Sequence, residues 1–125
     1  MSAATDTHVG RGAVQPLDTD ERIEITIFEA EGRIVRAEYA ATGDAATGRC
    51  AETVCRVIAE HGVTELFQMN NNAVYYNAEP ALALEELYKA SVAVLAAKRA
   101  AADWCRKNGL ALPEQDGCCG CLTEE

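Results

Sequence analysis

Long apolar runs and an excess of basic charge are missing from this chain of 125 residues, and aromatic residues are few. Its longest apolar stretch, Ala90 to Ala102, is interrupted by Lys98 and Arg99 and is too short to cross a bilayer. Aromatic residues make up 6% of the chain and alanine is abundant, so the core is expected to consist of small side chains. Eleven Lys and Arg against twenty Asp and Glu give a net charge of −9, which repels phosphate backbones and anionic lipid. Nucleic acid and membranes are therefore not expected partners. Met1 to Gly12 lacks the basic-then-apolar order of a secretory signal, and the expected location is cytoplasmic. Glycine-rich dinucleotide loops, a P-loop, an H-E-x-x-H helix and a nucleophile elbow are absent, and no serine stands beside a histidine. Conventional nucleophilic or nucleotide chemistry has no support.

What the chain does have is an unusual cysteine distribution. Of six cysteines, Cys50 and Cys55 fall in one helical stretch, Cys105 near the end of another, and Cys118, Cys119 and Cys121 crowd into the last eight residues. Even spacing in a secreted chain indicates a disulfide framework, whereas a terminal cluster in a reducing compartment indicates thiol or metal chemistry.

The length suits one domain with short tails. Residues 1–20 hold small and polar residues without an apolar period and read as a flexible arm. Residues 21–30 alternate, with Ile23, Ile25 and Ile27 on one face; residues 33–41 alternate again, with Val35, Ala37 and Tyr39 opposite Arg36 and Glu38. Joined by Glu31-Gly32, the two runs predict a β-hairpin with one wet face. Thr42-Gly43-Asp44 breaks the strand. From Ala46 to His61 the spacing turns helical, Cys50, Val54, Val57 and Ile58 forming a stripe that Gly62 is placed to cap. Thr64 to Phe67 suggests a short helical turn, Asn70-Asn71-Asn72 a loop, and Ala73 to Tyr76 a short extended piece, a possible third strand. With Pro80 in its first turn and Glu79 nearby, an Ala/Leu/Val pattern then runs to about Lys107 as one long helix or two in succession, ended by Asn108-Gly109. A hairpin cannot bury its apolar face alone, so the expected fold is a two-layer α+β sandwich: a small antiparallel sheet packed against helices over residues 21–109, followed by a cysteine-rich tail at 110–125.

This order of elements resembles the NifU-N/IscU-like family of iron–sulfur cluster assembly scaffolds. The resemblance runs through Ile23-Glu24-Ile25-Thr26-Ile27, Gly32 to Tyr39, Thr42-Gly43-Asp44 with its following helix, Gly62-Val63-Thr64 and Ala96 to Trp104, about residues 20–107 in all. It implies an IscU-like fold and a site of three cysteines holding a nascent [2Fe–2S] cluster or zinc. It also implies where those ligands stand: before the first strand, after the glycine of the loop that follows the hairpin, and at the opening of the last helix. Here these places fall on Asp18 or a neighbour, on Asp44, and on Lys89 or Ala90. One carboxylate cannot retain a cluster that needs several soft thiolates, so the resemblance implies an inherited fold whose standard ligands have gone.

The candidate ligands are therefore Cys118, Cys119, Cys121, Cys105 and Asp44. Thiolates bind soft or borderline metals and attack sulfur, and Gly120 lets the backbone turn between Cys119 and Cys121. Only Cys118 and Cys121 have the C-x-x-C spacing, so the tail reads as half a site needing Cys105, Cys50, Cys55, Asp44 or another subunit. Each candidate has a plainer reading. Cys50 and Cys55 lie about 140° apart on a helix and do not chelate as a pair, and Cys50 suits the core. Cys105 is either core or a partner of the tail. Asp44 suits a helix N-cap, His61 a helix end, His8 the arm, and Tyr75-Tyr76 with Phe67 and Met69 either core or a partner patch. The expected function is a divergent scaffold or carrier binding an iron–sulfur cluster or zinc through thiolates and passing it to a cluster-assembly client. The alternatives are a non-catalytic accessory subunit of a larger redox or metalloenzyme complex, and a thiol-based sulfur-relay protein.

Overall fold

The computed structural model describes residues 7–16, 20–78 and 81–110. The fold is α+β in two layers. A three-stranded antiparallel sheet in the order β1 (Val9–Val14), β2 (Arg22–Ala30), β3 (Arg33–Thr42) carries helices on one face. The helical layer comprises α1 (Ala45–Ile58), a 3-10 helix at Val63–Gln68, the short turn α2 (Asn72–Tyr75), a 3-10 turn at Leu84–Glu86 and the long α3 (Leu87–Lys107). None of the helices among the described residues is long and apolar enough to cross a membrane.

The hairpin forms as its alternation predicts. Ala30 pairs with Arg33, leaving the two-residue turn Glu31-Gly32, both at positive φ. Gly32 takes that geometry without a Cβ penalty, and the turn's twist matches that of the strands. Ile23, Ile25 and Ile27 point inward and are fully buried with Ile34, each worth roughly 1.5–3 kcal/mol of transfer free energy. One expected inward residue is displaced. The register slips between Phe28, opposite Arg36, and Glu29, opposite Ile34, so Val35 is the extra residue of a bulge and stands 62% exposed.

The third strand lies at Val9–Val14, where a flexible arm was expected; residues 73–75 instead belong to the helical turn Asn72–Tyr75, with Tyr76 at its C-terminal cap. Its inward positions are Gly10, Gly12 and Val14, and two glycines give no hydropathy signal. Their role is steric. A Cβ at Gly12 would overlap the backbone nitrogen of Ala100 and the oxygen of Ala96, and one at Gly10 the oxygen of Ala100. The strand and α3 therefore meet backbone to backbone, which explains the fully buried alanines Ala93, Ala96, Ala97, Ala100 and Ala101.

The other boundaries shift modestly. Helix α1 stops at Ile58, and Glu60 rather than Gly62 takes the left-handed conformation. The Gly62 segment pairs with Arg33 at the start of β3: Ile34 N–H donates to the His61 carbonyl at 2.8 Å, and Glu60 N–H to that of Ile34 at 2.8 Å. The segment before Leu87 that begins the expected long helix holds the 3-10 turn instead. Asn108 and Gly109, at φ 70°, end α3 as predicted.

At the far end of the sheet the Glu29 carboxylate, 8% exposed, accepts hydrogen bonds from Gly32 N–H (2.6 Å) and Trp104 Nε1–H (3.1 Å), and pairs with His8 at 2.7 Å. Burial pushes this carboxyl upward, and these hydrogen bonds outweigh it, holding it below the usual glutamate range. His8 is thus a partner of the sheet.

Two glycines separate steric fit from propensity. Gly12→Ala is expected to destabilise the fold by about 1–3 kcal/mol through overpacking. Gly48→Ala, inside α1 with open space around its Cβ direction, is expected to stabilise it by about 0.5–1 kcal/mol. Urea denaturation of both variants reads the difference.

Candidate functional site

Two of the three places where the resemblance expects ligands, Asp44 and Lys89, meet at one end of the sandwich. Gly43-Asp44 closes β3 and opens α1, Glu21 immediately precedes β2, and Lys89 lies in the first turn of α3. Asp18 lies outside the described residues. Asp44 is the N-cap of α1: its Oδ1 accepts from Thr47 N–H and Oγ1–H, both at 3.1 Å. An Asn, Asp, Ser or Thr at such a position satisfies an N–H that the helix leaves unpaired.

The centre of the cluster is Lys89. It sits on the buried stripe of α3 with Ala93, Ala96 and Ala100, yet its Nζ carries a charge. The ammonium donates to a Glu21 carboxylate oxygen, lies 3.2 Å from Asp44 Oδ1 and donates to Thr47 Oγ1 at 3.3 Å. Tyr88 Oη adds a hydrogen bond to Glu21 at 3.0 Å. Burial alone would depress the Lys89 ammonium; its contacts with Glu21, Tyr88 and Asp44 outweigh burial and hold it well above the ordinary lysine range. Asp44 is held below the usual aspartate range, first by the Thr47 N–H and then by Lys89. Beside the cluster, Arg49 Nη2 donates to Glu86 Oε1 at 3.1 Å.

These residues do not suit a metal ion or a cluster. The position between the two carboxylates is filled by an ammonium, which has three donors, no acceptor and a positive charge of its own. Two hard carboxylates without a thiolate also lack the donors an iron–sulfur cluster takes. Among the described residues no group of three or more His, Cys, Asp or Glu is arranged to hold a metal. Asp44, an expected ligand, is a cap and ion-pair partner.

The thiols divide. Cys50 is fully buried on α1 and Cys105 is 1% exposed on α3, so both belong to the core. Burial pushes the Cys50 thiol up to about 11 and raises that of Cys105. Cys55 is half-buried, pushed up to about 12 by burial and by Glu38 and Glu52. None of the three is poised as a thiolate at neutral pH. Cys118, Cys119 and Cys121 lie outside the described residues.

His61 lies beyond the end of α1, where its Nδ1 pairs with Glu65 Oε1 at 2.9 Å instead of with helix carbonyls. The pair borders a hollow of about 360 Å³ floored by Ile58, Leu66 and Met69. Tyr75 and Phe67 pack against the core, while Tyr76 is exposed. Sequence reading passed over Glu21, Thr47 and the cationic role of Lys89. The available signal was a lysine in phase with the alanine stripe of α3, since a buried lysine requires a partner.

No family model matches the chain, and a search of curated proteins finds no match either.

Removing the ammonium leaves Glu21 and Asp44 facing each other, so Lys89→Met is expected to cost about 3 kcal/mol in chemical denaturation. The acid limb is set by groups such as Asp44 and Glu29. Their folded pKa values are depressed, so their contribution is complete above the unfolded values near 4 and is lost as pH falls through the folded ones. Asp44→Asn is expected to lower stability at pH 7 and to flatten its fall between about pH 5 and 2, followed by circular dichroism.

Proposed function

We propose that this chain is a non-catalytic accessory protein of a larger redox or metalloenzyme assembly, built on a scaffold-like fold. In this reading its folded body carries no metal, and its thiol chemistry belongs to Cys118, Cys119 and Cys121. The observation that supports it is the Lys89 ammonium between Glu21 and Asp44, at the end of the sandwich where the resemblance to cluster scaffolds places the ligands. A cation supplied by the chain there favours a fixed structural junction over a place of metal exchange. The reading sets the chain in the cytoplasm, where its six thiols stay reduced.

A second reading keeps the carrier role. Cys118 and Cys121 retain the C-x-x-C spacing, and with Cys119 they supply thiolates for a cluster, zinc or sulfane sulfur, completed by another chain. The buried state of Cys50 and Cys105 favours an external completing ligand over one from this body.

Anaerobic purification from native extracts, with size analysis, iron and zinc analysis and a visible spectrum, distinguishes the readings. The accessory reading expects migration with a much larger enzyme and a colourless 13.4 kDa chain after isolation and after treatment with iron and sulfide. Migration alone in extracts overturns it. Charge-transfer absorbance that is lost when Cys118, Cys119 and Cys121 are all replaced by Ser establishes the carrier reading instead.

A further inference from the structure

The two edges of the sheet are treated differently by the rest of the molecule. The β1–β2 register, with Glu29 N–H donating to the His8 carbonyl, turns the backbone groups of Val9, Arg11 and Ala13 outward. Side chains of α3 take up three of those groups. Lys107 Nζ donates to the Val9 carbonyl at 2.9 Å, Arg11 N–H donates to Asp103 Oδ2 at 3.0 Å, and Arg99 Nη1 donates to the Ala13 carbonyl at 2.9 Å. This edge is closed against pairing.

By the same alternation Ala37, Tyr39 and Ala41 turn their N–H and C=O groups away from β2. The Gly62 segment pairs with the start of this edge, at Gly32 and Ile34, and goes no further. Beyond it these outward groups have no backbone partner among the described residues. Hollows of about 540 and 550 Å³ flank β3, the first beside Ile34 and Val35, the second beside Ala37, Tyr39 and Cys55. Tyr39 is 43% exposed over the second.

Charge selects the occupant. Glu31, Glu52 and Glu60 line these hollows, exposed and in no ion pair among the described residues. Arg33 and Arg56 also line them, donating to the carbonyls of Glu60 and Asn77, and Arg36 pairs with Glu38 over the ring of Phe28; acidic side chains still outnumber basic ones at each hollow. A second copy brings another −9 to the same edge, and residues 111–125 contain four acidic residues and no basic one. We infer that the Arg36–Thr42 edge of β3 is a docking site for an extended, basic segment of another protein. That segment adds as a fourth strand, one face of it presenting Lys or Arg to Glu31, Glu52 and Glu60 at the hollows. The inference is independent of where metal or sulfur binds.

The test uses the full-length ¹⁵N-labelled chain and a blocked ten-residue peptide alternating Lys and Val, with the Glu/Val peptide as control. The basic peptide is expected to shift and protect the amides of Ala37, Tyr39 and Ala41, and the acidic one to leave them unchanged. Glu52→Lys combined with Glu60→Lys, both at exposed positions, is expected to weaken binding at least tenfold. Tyr39→Pro, which removes one outward N–H, is expected to abolish it. Equal responses to both peptides, binding that maps elsewhere, or no protection at millimolar peptide overturns the proposal. Protection of these amides without peptide overturns it too: rising with concentration, it assigns the edge to a second copy; constant on dilution, to residues 111–125. Metal analysis of the same sample reads the functional proposal separately.

Discussion

One buried ammonium joins three separate parts of the chain. Lys89 on α3 holds Glu21, at the start of β2, and Asp44 and Thr47, at the start of α1. A charge removed from water is tolerated only when it is paired and hydrogen-bonded, so Glu21, Asp44 and Thr47 are constrained together. Helix α1 depends on the same constraint, because the carboxylate that caps it is the one that pairs with Lys89. This end of the sandwich is tied by the protein's own charge, which is the physical basis for the proposed reading of the body as a junction.

A second constraint, the backbone contact of β1 with α3 through Gly10 and Gly12, decides how the sheet meets its surroundings. Such close seating brings Arg99, Asp103 and Lys107 within reach of the strand's outer backbone groups, and that edge is sealed. The opposite edge lies beside α1, whose Glu52 stands exposed without reaching β3's backbone. That β3 keeps outward backbone groups without a backbone partner among the described residues is therefore a consequence of which strand received the long helix.

The hairpin was legible because isoleucines at 23, 25 and 27 alternate without interruption, and the Asn108-Gly109 stop because a helix must end there. Strand β1 was illegible: its buried positions are glycines, chosen for the absence of a side chain, and hydropathy does not register an absence. The α1 terminus was misplaced because Gly62 offers the usual capping residue, while pairing with β3 ended the helix earlier and put Glu60 in the left-handed conformation. At the site, Asp44 was recognised from its local cap signature. Its partners Lys89 and Glu21 lie 45 and 23 positions away in sequence, beyond any local pattern.

The amino-acid sequence by itself determined the α+β class, the hairpin register away from the bulge, the acidic surface and the gathering of three thiols into one short segment. These follow from local periodicity and composition, which act on neighbouring residues. Tertiary structure alone decided that Cys105 is core and that the Lys89 ammonium lies between Glu21 and Asp44. It alone decided that the β1 edge is closed and that the β3 edge, past the Gly62 segment, has no backbone partner among the described residues. Each of those outcomes depends on contacts between residues distant in the chain, where burial and charge pairing are set by packing and not by sequence order.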